Sequence, residues 1–211
     1  MALLKQPKAI IFDMDGVIID SEGVNIKTAT KSYKKLGINL TQKDLQQVIG
    51  RHPKDYNRIF AKKYNFNKEE VWHYQNKYFP PLYQQASIIK DAVKLIHELK
   101  KQKIRLALAT SSHRENADKV IKKAGLENVF DIIVVFEDCQ ERKPDPEVYI
   151  TTAKKLKLSP KNCLVFEDTQ IGIKAAKNAD MQCIALPNQY TRNQDFSRAD
   201  SILNSALDYL K

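Results

Sequence analysis

Two acidic side chains directly follow a short apolar run near the start of the sequence. Residues 9–12 read AIIF, and Asp13 and Asp15 come next, separated by one residue and followed by Gly16. Carboxylates this close repel each other unless a cation holds them. Mg²⁺ suits this task, because it typically binds one or two carboxylates and completes its coordination with water and substrate phosphate. Joined by a third carboxylate from another strand, the pair would form a magnesium site.

Polar side chains also end two later apolar runs and fill one loop. The run "IRLALAT" ends in hydroxyl groups, "CLVFED" ends in carboxylates, and the loop "ERKPDPE" carries a lysine before a proline. These groups are Thr110, Ser111, Ser112, Glu167, Asp168 and Lys143. Hydroxyls and loop N–H groups bind phosphate oxygens, and a lysine adds a fixed positive charge. With Mg²⁺, such a set suits phosphoryl transfer, in which catalysis is mostly positioning and charge neutralisation.

The elements that carry these groups alternate along the second part of the chain. From about residue 87, helical patterns alternate with apolar runs rich in β-branched residues, and "KAIIFD" supplies a further strand. This alternation is typical of a parallel sheet covered on both faces, so we predict an α/β, Rossmann-like doubly wound parallel sheet. Ligands bind such sheets beyond the carboxyl ends of the strands, where all the polar groups above are expected.

The segment after Gly16 shows a different pattern. It has helical periodicity without a convincing strand, and the predicted helices cover 22–36, 41–49, 53–64 and 67–79. We expect the pair Pro80–Pro81 to end the fourth helix. The predicted organisation is a core of residues 1–16 and 85–211 with a small all-helical cap of residues 17–84 inserted after the first strand.

Four quoted stretches, in order, resemble the motifs of the haloacid dehalogenase-like hydrolase superfamily. They are "FDMDGVIIDSE", "ATSS", "RKPDPEVY" and "VFEDTQIGIKAAKNA". In pattern the chain is similar to the β-phosphoglucomutase-like phosphatases with a small helical cap. The resemblance covers nearly the whole chain and implies a Mg²⁺-dependent phosphoric monoester hydrolase acting on a small phosphorylated metabolite, such as a sugar phosphate.

The resemblance also implies a role for each matching residue. Asp13 corresponds to the nucleophile that forms an aspartyl phosphate, and Asp15 to the general acid and base. Thr110 and Lys143 correspond to the groups that hold the transferring phosphoryl group, with Ser111, Ser112 and Gly16 beside it. Asp168 completes a metal site with Asp13 and the Asp15 carbonyl, and Glu167 supports the metal or the lysine. We also predict a cis peptide bond between Lys143 and Pro144, where the chain must turn the lysine back towards Asp13.

Two features of the predicted cap bear on the substrate and on the reaction. The segment "VIGRHPKDY" resembles the family's substrate-specificity loop, so Arg51 and His52 are expected to bind substrate. Known β-phosphoglucomutases carry a histidine where this chain has Asn25, which favours transfer to water. A phosphosugar mutase remains the alternative function, and a catalytically silent binding protein on the same fold is the third hypothesis.

Charge and cysteine content limit the environment and the partners. The net charge is +10, and residues 17–84 contribute +6 of it, with 12 basic against 6 acidic residues. Because the lysines are spread over helical patterns, solvated helix faces are the better interpretation than a nucleic-acid surface. The three cysteines lie far apart, and no apolar run reaches the length of a membrane span. We expect a cytoplasmic monomer without a secretory leader that binds neither nucleic acid nor membrane.

Overall fold

The structure is a computed structural model that describes residues 7–211. Contacts divide the described chain into two units, one of residues up to 19 and from 88 onwards and the other of residues 20–87. Both boundaries lie three residues later than the predicted ones.

The first unit contains a six-stranded parallel sheet, which confirms the predicted α/β class. Its strands are β1 (Ala9–Phe12), β2 (Arg105–Ala109), β3 (Ile132–Val134), β4 (Cys163–Glu167), β5 (Gln182–Ala185) and β6 (Ser201–Ile202). They lie in the order β3-β2-β1-β4-β5-β6. Strands β2 and β3 therefore lie on one side of β1, and the chain then crosses over so that β4, β5 and β6 lie on the other side. Between β1 and β4 lies the switch point at which open α/β sheets bind ligands.

Helices cover both faces of this sheet. They are α5 (Lys90–Lys101), α6 (Arg114–Ala124), α7 (Glu147–Lys155) and α8 (Gln170–Asn178), and a 3₁₀ helix, Ala206–Leu210, lies at the end of the described chain. On one face Ile11 is part of a buried cluster with Val148 of α7 and Ile173 of α8. On the other face Phe12 stacks on Phe166 at a ring-centroid distance of 5.0 Å, and Phe166 meets Tyr209 of the 3₁₀ helix edge to face.

The second unit consists of four helices, as expected for residues after Gly16. They are α1 (Glu22–Lys35), α2 (Gln42–Val48), α3 (Pro53–Phe60) and α4 (Lys68–Gln85). Thr41 caps α2, and Pro53 occupies the first turn of α3, where its missing N–H costs no hydrogen bond. A buried aromatic cluster that includes Tyr33, Tyr56 and Phe60 forms the centre of this unit.

Some details of the predicted elements are wrong. Helix α3, expected over 53–64, ends at Phe60. Helix α4 does not end at Pro80–Pro81 but continues through both residues to Gln85. Tyr83, one turn beyond, is 5% exposed and stacks on Phe79, so side-chain packing holds the turn that follows the two missing N–H donors. Strand β6 was not predicted, because two residues are too few to show a pattern.

Candidate active site

The carboxyl ends of three neighbouring strands bring the predicted polar groups to one edge of the sheet. Phe12 is in register with Phe166 of β4 and with Leu108 of β2, so the residues that follow each strand start side by side. The backbone N–H of Asp13 donates to the carbonyl of Phe166 at 3.0 Å. Asp13 is 6% exposed and Glu167 is 1% exposed, so both carboxylates are removed from bulk water.

Lys143 connects these two carboxylates. Its Nζ lies 2.6 Å from Oδ1 of Asp13 and 2.6 Å from Oε1 of Glu167, and its side chain is 10% exposed. The Lys143–Pro144 bond is cis, as predicted. The ammonium also lies over the ring of Tyr149, 4.8 Å from the centroid, which adds a cation–π contact. Lys143 thus contacts both acids from a loop that lies more than a hundred residues beyond β1 in the sequence.

Burial and neighbouring charges shift the protonation of this pair. Burial, followed by repulsion from Glu167 and Asp15, raises the pKa of Asp13 to about 8, although Lys143 acts in the opposite direction. Burial lowers the pKa of Lys143, but attraction to Asp13 and Glu167 outweighs it and holds that pKa above its ordinary value. The site therefore holds more negative than positive charge. Lys143 stays protonated, and an additional cation would favour the ionised form of Asp13.

Glu167 is fixed by donors on both of its carboxylate oxygens. Oε1 accepts hydrogen bonds from Lys143 and, at 2.7 Å, from the hydroxyl of Tyr149. Oε2 accepts from the backbone of Asp168 at 3.1 Å and from the backbone and hydroxyl of Thr169. A Cβ at Gly172 in α8 would collide with this carboxylate, so a glycine is needed there. Glu167 therefore orients Lys143 and the loop after β4.

Asp168 is buried beside Gly16. It is 0% exposed, and a Cβ at Gly16 would collide with its carboxylate. Gly16 has φ +84°, a conformation that also favours glycine. The side-chain amide of Asn188 donates to Oδ2 of Asp168 at 2.8 Å. The absence of a side chain at Gly16 thus lets the backbone approach the Asp168 carboxylate closely.

Asp15 lies against the hydroxyl groups that follow β2. The Ser112 hydroxyl donates to Oδ2 of Asp15 at 2.7 Å, and the Thr110 hydroxyl lies 3.4 Å from the same oxygen. Thr110 Oγ1 in turn accepts from the N–H of Ser112 at 3.0 Å. The carbonyl of Ser111 accepts from the guanidinium of Arg142 at 3.5 Å. Thr110 and Ser112 thus hold the carboxylate of Asp15 as well as being candidates for phosphate binding.

The acidic residues at the strand ends fit a divalent metal ion. Asp13, Glu167 and Asp168 are all buried, and each can offer an oxygen within 4.8 Å of the others. Hard oxygen donors of this kind suit Mg²⁺, and a cation would offset the burial and the repulsion that raise the pKa of Asp13. Because the oxygens of Glu167 already accept several hydrogen bonds, Asp13 and Asp168 are the better candidates for direct ligands.

The two predicted substrate residues of the cap lie in the helical unit. The guanidinium of Arg51 donates to the carbonyl of Gln47 at 3.1 Å. Nδ1 of His52 accepts from the N–H of Lys54 at 3.2 Å, so this ring caps α3. Their contact with substrate stays a prediction.

Sequence reasoning missed the side chains of Tyr149, Thr169 and Asn188, which touch the predicted acids. Tyr149 lies within the quoted stretch "RKPDPEVY", but only the packing of α7 on the sheet brings its hydroxyl to Glu167. Asn188 follows β5, the parallel neighbour of β4, and reaches Asp168. A signal existed for Asn188, since a polar residue just beyond a strand belongs to the same edge of the sheet.

With this geometry in place, the family of the chain follows from comparison with known proteins. The family model described as haloacid dehalogenase-like hydrolase matches residues 10–186. The chain therefore belongs to the haloacid dehalogenase-like hydrolases, as its four motifs indicated.

Individual proteins resemble the chain along most of its length. It is 28% identical to a phosphorylated carbohydrates phosphatase of Thermotoga maritima, over 84% of this chain and 83% of that protein. It is 29% identical to a bifunctional riboflavin kinase/FMN phosphatase of Arabidopsis thaliana, over 98% of this chain but only 55% of that protein. The solved structure of a β-phosphoglucomutase from Clostridium difficile superposes with a TM-score of 0.80 at 29% identity, covering 98% of this chain and 94% of that one.

Proposed function

We propose that this hydrolase is a Mg²⁺-dependent phosphatase that cleaves a small phosphorylated metabolite, a sugar phosphate, through an aspartyl phosphate on Asp13. The observation that carries the proposal is the buried contact of 2.6 Å between Asp13 and Lys143, beside the carboxylate of Asp168. A carboxylate held next to a permanent cation can approach an anionic phosphate, which a lone carboxylate would repel. The similarity to the phosphatase of phosphorylated carbohydrates supports the substrate class.

In the first half of the reaction, a carboxylate oxygen of Asp13 attacks the phosphorus atom. The new P–O bond forms as the bond from phosphorus to the sugar oxygen breaks, and Asp15 in its acid form donates a proton to the leaving oxygen. Lys143 neutralises charge on the transferring group, and the Thr110 hydroxyl binds one of its oxygens.

In the second half, the same residues direct water to the intermediate. Asp15, now a carboxylate, removes a proton from a water molecule as that water attacks phosphorus. The bond between phosphorus and Asp13 breaks, and inorganic phosphate leaves. Ser112 fixes the orientation of Asp15 through its hydrogen bond of 2.7 Å, so one carboxylate can serve both halves. When bound by Asp13 and Asp168, Mg²⁺ supplies charge neutralisation for the phosphoryl group.

A mutase is the second candidate, because the chain is similar to a β-phosphoglucomutase along almost its whole length. Incubation with glucose 1-phosphate and Mg²⁺ separates the two reactions. We expect release of inorganic phosphate, whereas formation of glucose 6-phosphate would assign the chain to the mutases.

The decisive test of the proposal is a panel of phosphorylated metabolites assayed with Mg²⁺ and with a chelator. We expect release of phosphate from one or more sugar phosphates, and loss of this release when the metal is removed. Turnover that persists in the chelator would exclude the metal requirement. The absence of release or transfer across the panel would favour a binding protein on this fold.

A further inference from the structure

Asn188 contacts the buried acid Asp168 from a neighbouring strand. It lies three residues beyond Ala185, the last residue of β5, and Ala185 is in register with Glu167 of β4. Because β4 and β5 are parallel, the loops that follow them emerge at the same edge. This places Nδ2 of Asn188 at 2.8 Å from Oδ2 of Asp168.

The loop after β5 fixes which end of the Asn188 amide faces Asp168. Oδ1 of Asn188 accepts hydrogen bonds from the N–H groups of Tyr190 at 2.9 Å and Thr191 at 3.2 Å. The hydroxyl of Thr191, which is fully buried, accepts from the N–H of Asn188 at 3.0 Å. Since an amide has one acceptor oxygen and one donor nitrogen, two donors on Oδ1 direct Nδ2 to the carboxylate.

Gly16 confines the same carboxylate at a second point. A side chain at Gly16 would collide with both oxygens of Asp168. The carboxylate thus has backbone against it at Gly16 and a fixed amide donor on Oδ2. Its orientation is set before any cation binds.

We propose that Asn188 is a positioning residue that holds the Asp168 carboxylate in the orientation that a divalent cation requires. The inference rests on the proposed function, in which Asp168 binds Mg²⁺. Asn188 itself does not bind the metal. Outer partners of metal ligands typically change metal affinity by about 10–100-fold when they are removed. We expect an effect at the lower end of this range, because Gly16 still confines the carboxylate.

Asn188→Ser removes the amide that donates to Asp168 but keeps a side chain that can accept hydrogen bonds from the loop. A serine hydroxyl can still accept from N–H groups two or three residues on, but it is too short to reach Asp168 and adds no charge. The matched control is Asn67→Ser, because Oδ1 of Asn67 also accepts from two backbone N–H groups, those of Glu69 and Glu70. Asn67 caps α4 in the helical unit, so it tests loss of an asparagine cap alone.

Metal affinity is measured without substrate, by electron paramagnetic resonance of free Mn²⁺ and by competition with Mg²⁺. Asn188→Ser should bind both ions about tenfold more weakly than wild type, and Asn67→Ser should bind them as wild type does. In the phosphatase assay, Asn188→Ser should need more Mg²⁺ but regain most of its kcat at saturation. A purely structural role would lower kcat at all Mg²⁺ concentrations.

Two results would overturn the inference alone: equal affinity in Asn188→Ser and wild type, or equal losses in Asn188→Ser and Asn67→Ser. Wild-type protein that binds neither ion would overturn the proposed metal-dependent function, and this inference with it. If thermal unfolding shows that Asn188→Ser does not fold, Asn188→Thr, with the same short hydroxyl, takes its place.

Discussion

Lys143 is the residue on which the charge balance of the site depends. Its side chain is almost fully buried and contacts two carboxylates at 2.6 Å each. Removing one partner of a buried ion pair leaves an uncompensated charge, which typically costs about 3–5 kcal/mol. Tyr149 contributes as well, since its hydroxyl bonds Glu167 and its ring lies beneath the ammonium. The position of the lysine is therefore set by both acids and by an aromatic ring.

Asp13→Asn tests the proposed nucleophile. The amide keeps the size of the side chain but lacks the charge that attacks phosphorus, so kcat should fall about 10³-fold or more while the fold is retained. The assay is release of phosphate, with circular dichroism to check the fold. Asp200→Asn is a suitable control, because Asp200 also pairs with a lysine, Lys177 at 2.6 Å, in the same unit. Comparable turnover in Asp13→Asn and wild type would remove Asp13 from the mechanism.

At the residue scale, the sequence predicts the acids better than their partners. Asp13, Glu167 and Asp168 could be placed together because parallel strands end at one edge, and the structure brings them within 4.8 Å. The same rule points to the place of Asn188 beyond β5, but the partners of Asn188 and Tyr149 could not be assigned in this way. A tyrosine on a helix and an asparagine in a loop have many possible partners, and only the packing of α7 and the turn after β5 select one.

At the scale of elements, the turn after β1 places Gly16 against Asp168. Gly16→Ala should be destabilising for two reasons, since alanine disfavours φ +84° and its Cβ would collide with the carboxylate. We expect weaker Mg²⁺ binding as well as a lower melting temperature.

Gly125→Ala provides the control for backbone strain. Gly125 has φ +66° at the end of α6, and a Cβ there would meet nothing within 4 Å. It should cost about 1 kcal/mol from conformation alone and leave Mg²⁺ binding unchanged. Equal Mg²⁺ binding in the two variants would show that contact of Gly16 with Asp168 is unimportant for the metal.

The first turn of α2 depends on one buried acid, Asp44. Its carboxylate accepts from the N–H and hydroxyl of Thr41, from Lys63 at 2.7 Å and from the hydroxyl of Tyr64 at 2.6 Å. Burial alone would raise the pKa of Asp44, but the hydrogen bonds from Lys63, Thr41 and Tyr64 outweigh it and hold that pKa well below its ordinary value. Asp44 therefore connects the start of α2 to the turn that follows α3.

Asp44→Asn should lower the free energy of unfolding by about 1–3 kcal/mol, because the cap and an ion pair are lost together. Since the pKa is lowered in the folded state, the contribution of Asp44 is present above the ordinary aspartate pKa of about 3.9 and is lost as the pH falls below it. Urea unfolding at neutral pH and below pH 4 measures both effects. Asp55→Asn, in the first turn of α3, is the control. A difference between Asp44→Asn and wild type that stays constant down to low pH would contradict the linkage.

Element boundaries show where local patterns lose their predictive value. Thr41 and Pro53 mark helix starts correctly, because capping and the fixed φ of proline act within one turn. Pro80 and Pro81 mislead, because the packing of Tyr83 against Phe79 continues α4 beyond them. A local signal thus fails where contacts made by the next turn outweigh the missing hydrogen bonds.

For the whole molecule, the alternation of helices and strands predicts the class of sheet but not the order of its strands. The order β3-β2-β1-β4-β5-β6 depends on the crossover from β3 to β4, which no local pattern records. This crossover sets β1 between β2 and β4, and so brings Thr110, Asp13 and Glu167 to one place. Over residues 7–211, no helix combines the length and apolar composition needed to span a bilayer.

The net charge of +10 should assist the capture of an anionic substrate. Long-range attraction raises the rate of encounter and is screened by salt, since the Debye length falls from about 30 Å at 0.01 M to about 10 Å at 0.1 M. We expect kcat/KM for a sugar phosphate to fall several-fold as salt rises at fixed Mg²⁺, with little change in kcat.

Two double variants that each remove two exposed lysines locate the source of this attraction: Lys54→Gln with Lys62→Gln in the helical unit, and Lys122→Gln with Lys123→Gln in α6. Because more than half of the net charge lies in the helical segment, the first variant should lose more kcat/KM and more of its salt dependence. Equal losses would assign the effect to total charge alone, and a kcat/KM that does not respond to salt would exclude electrostatic capture.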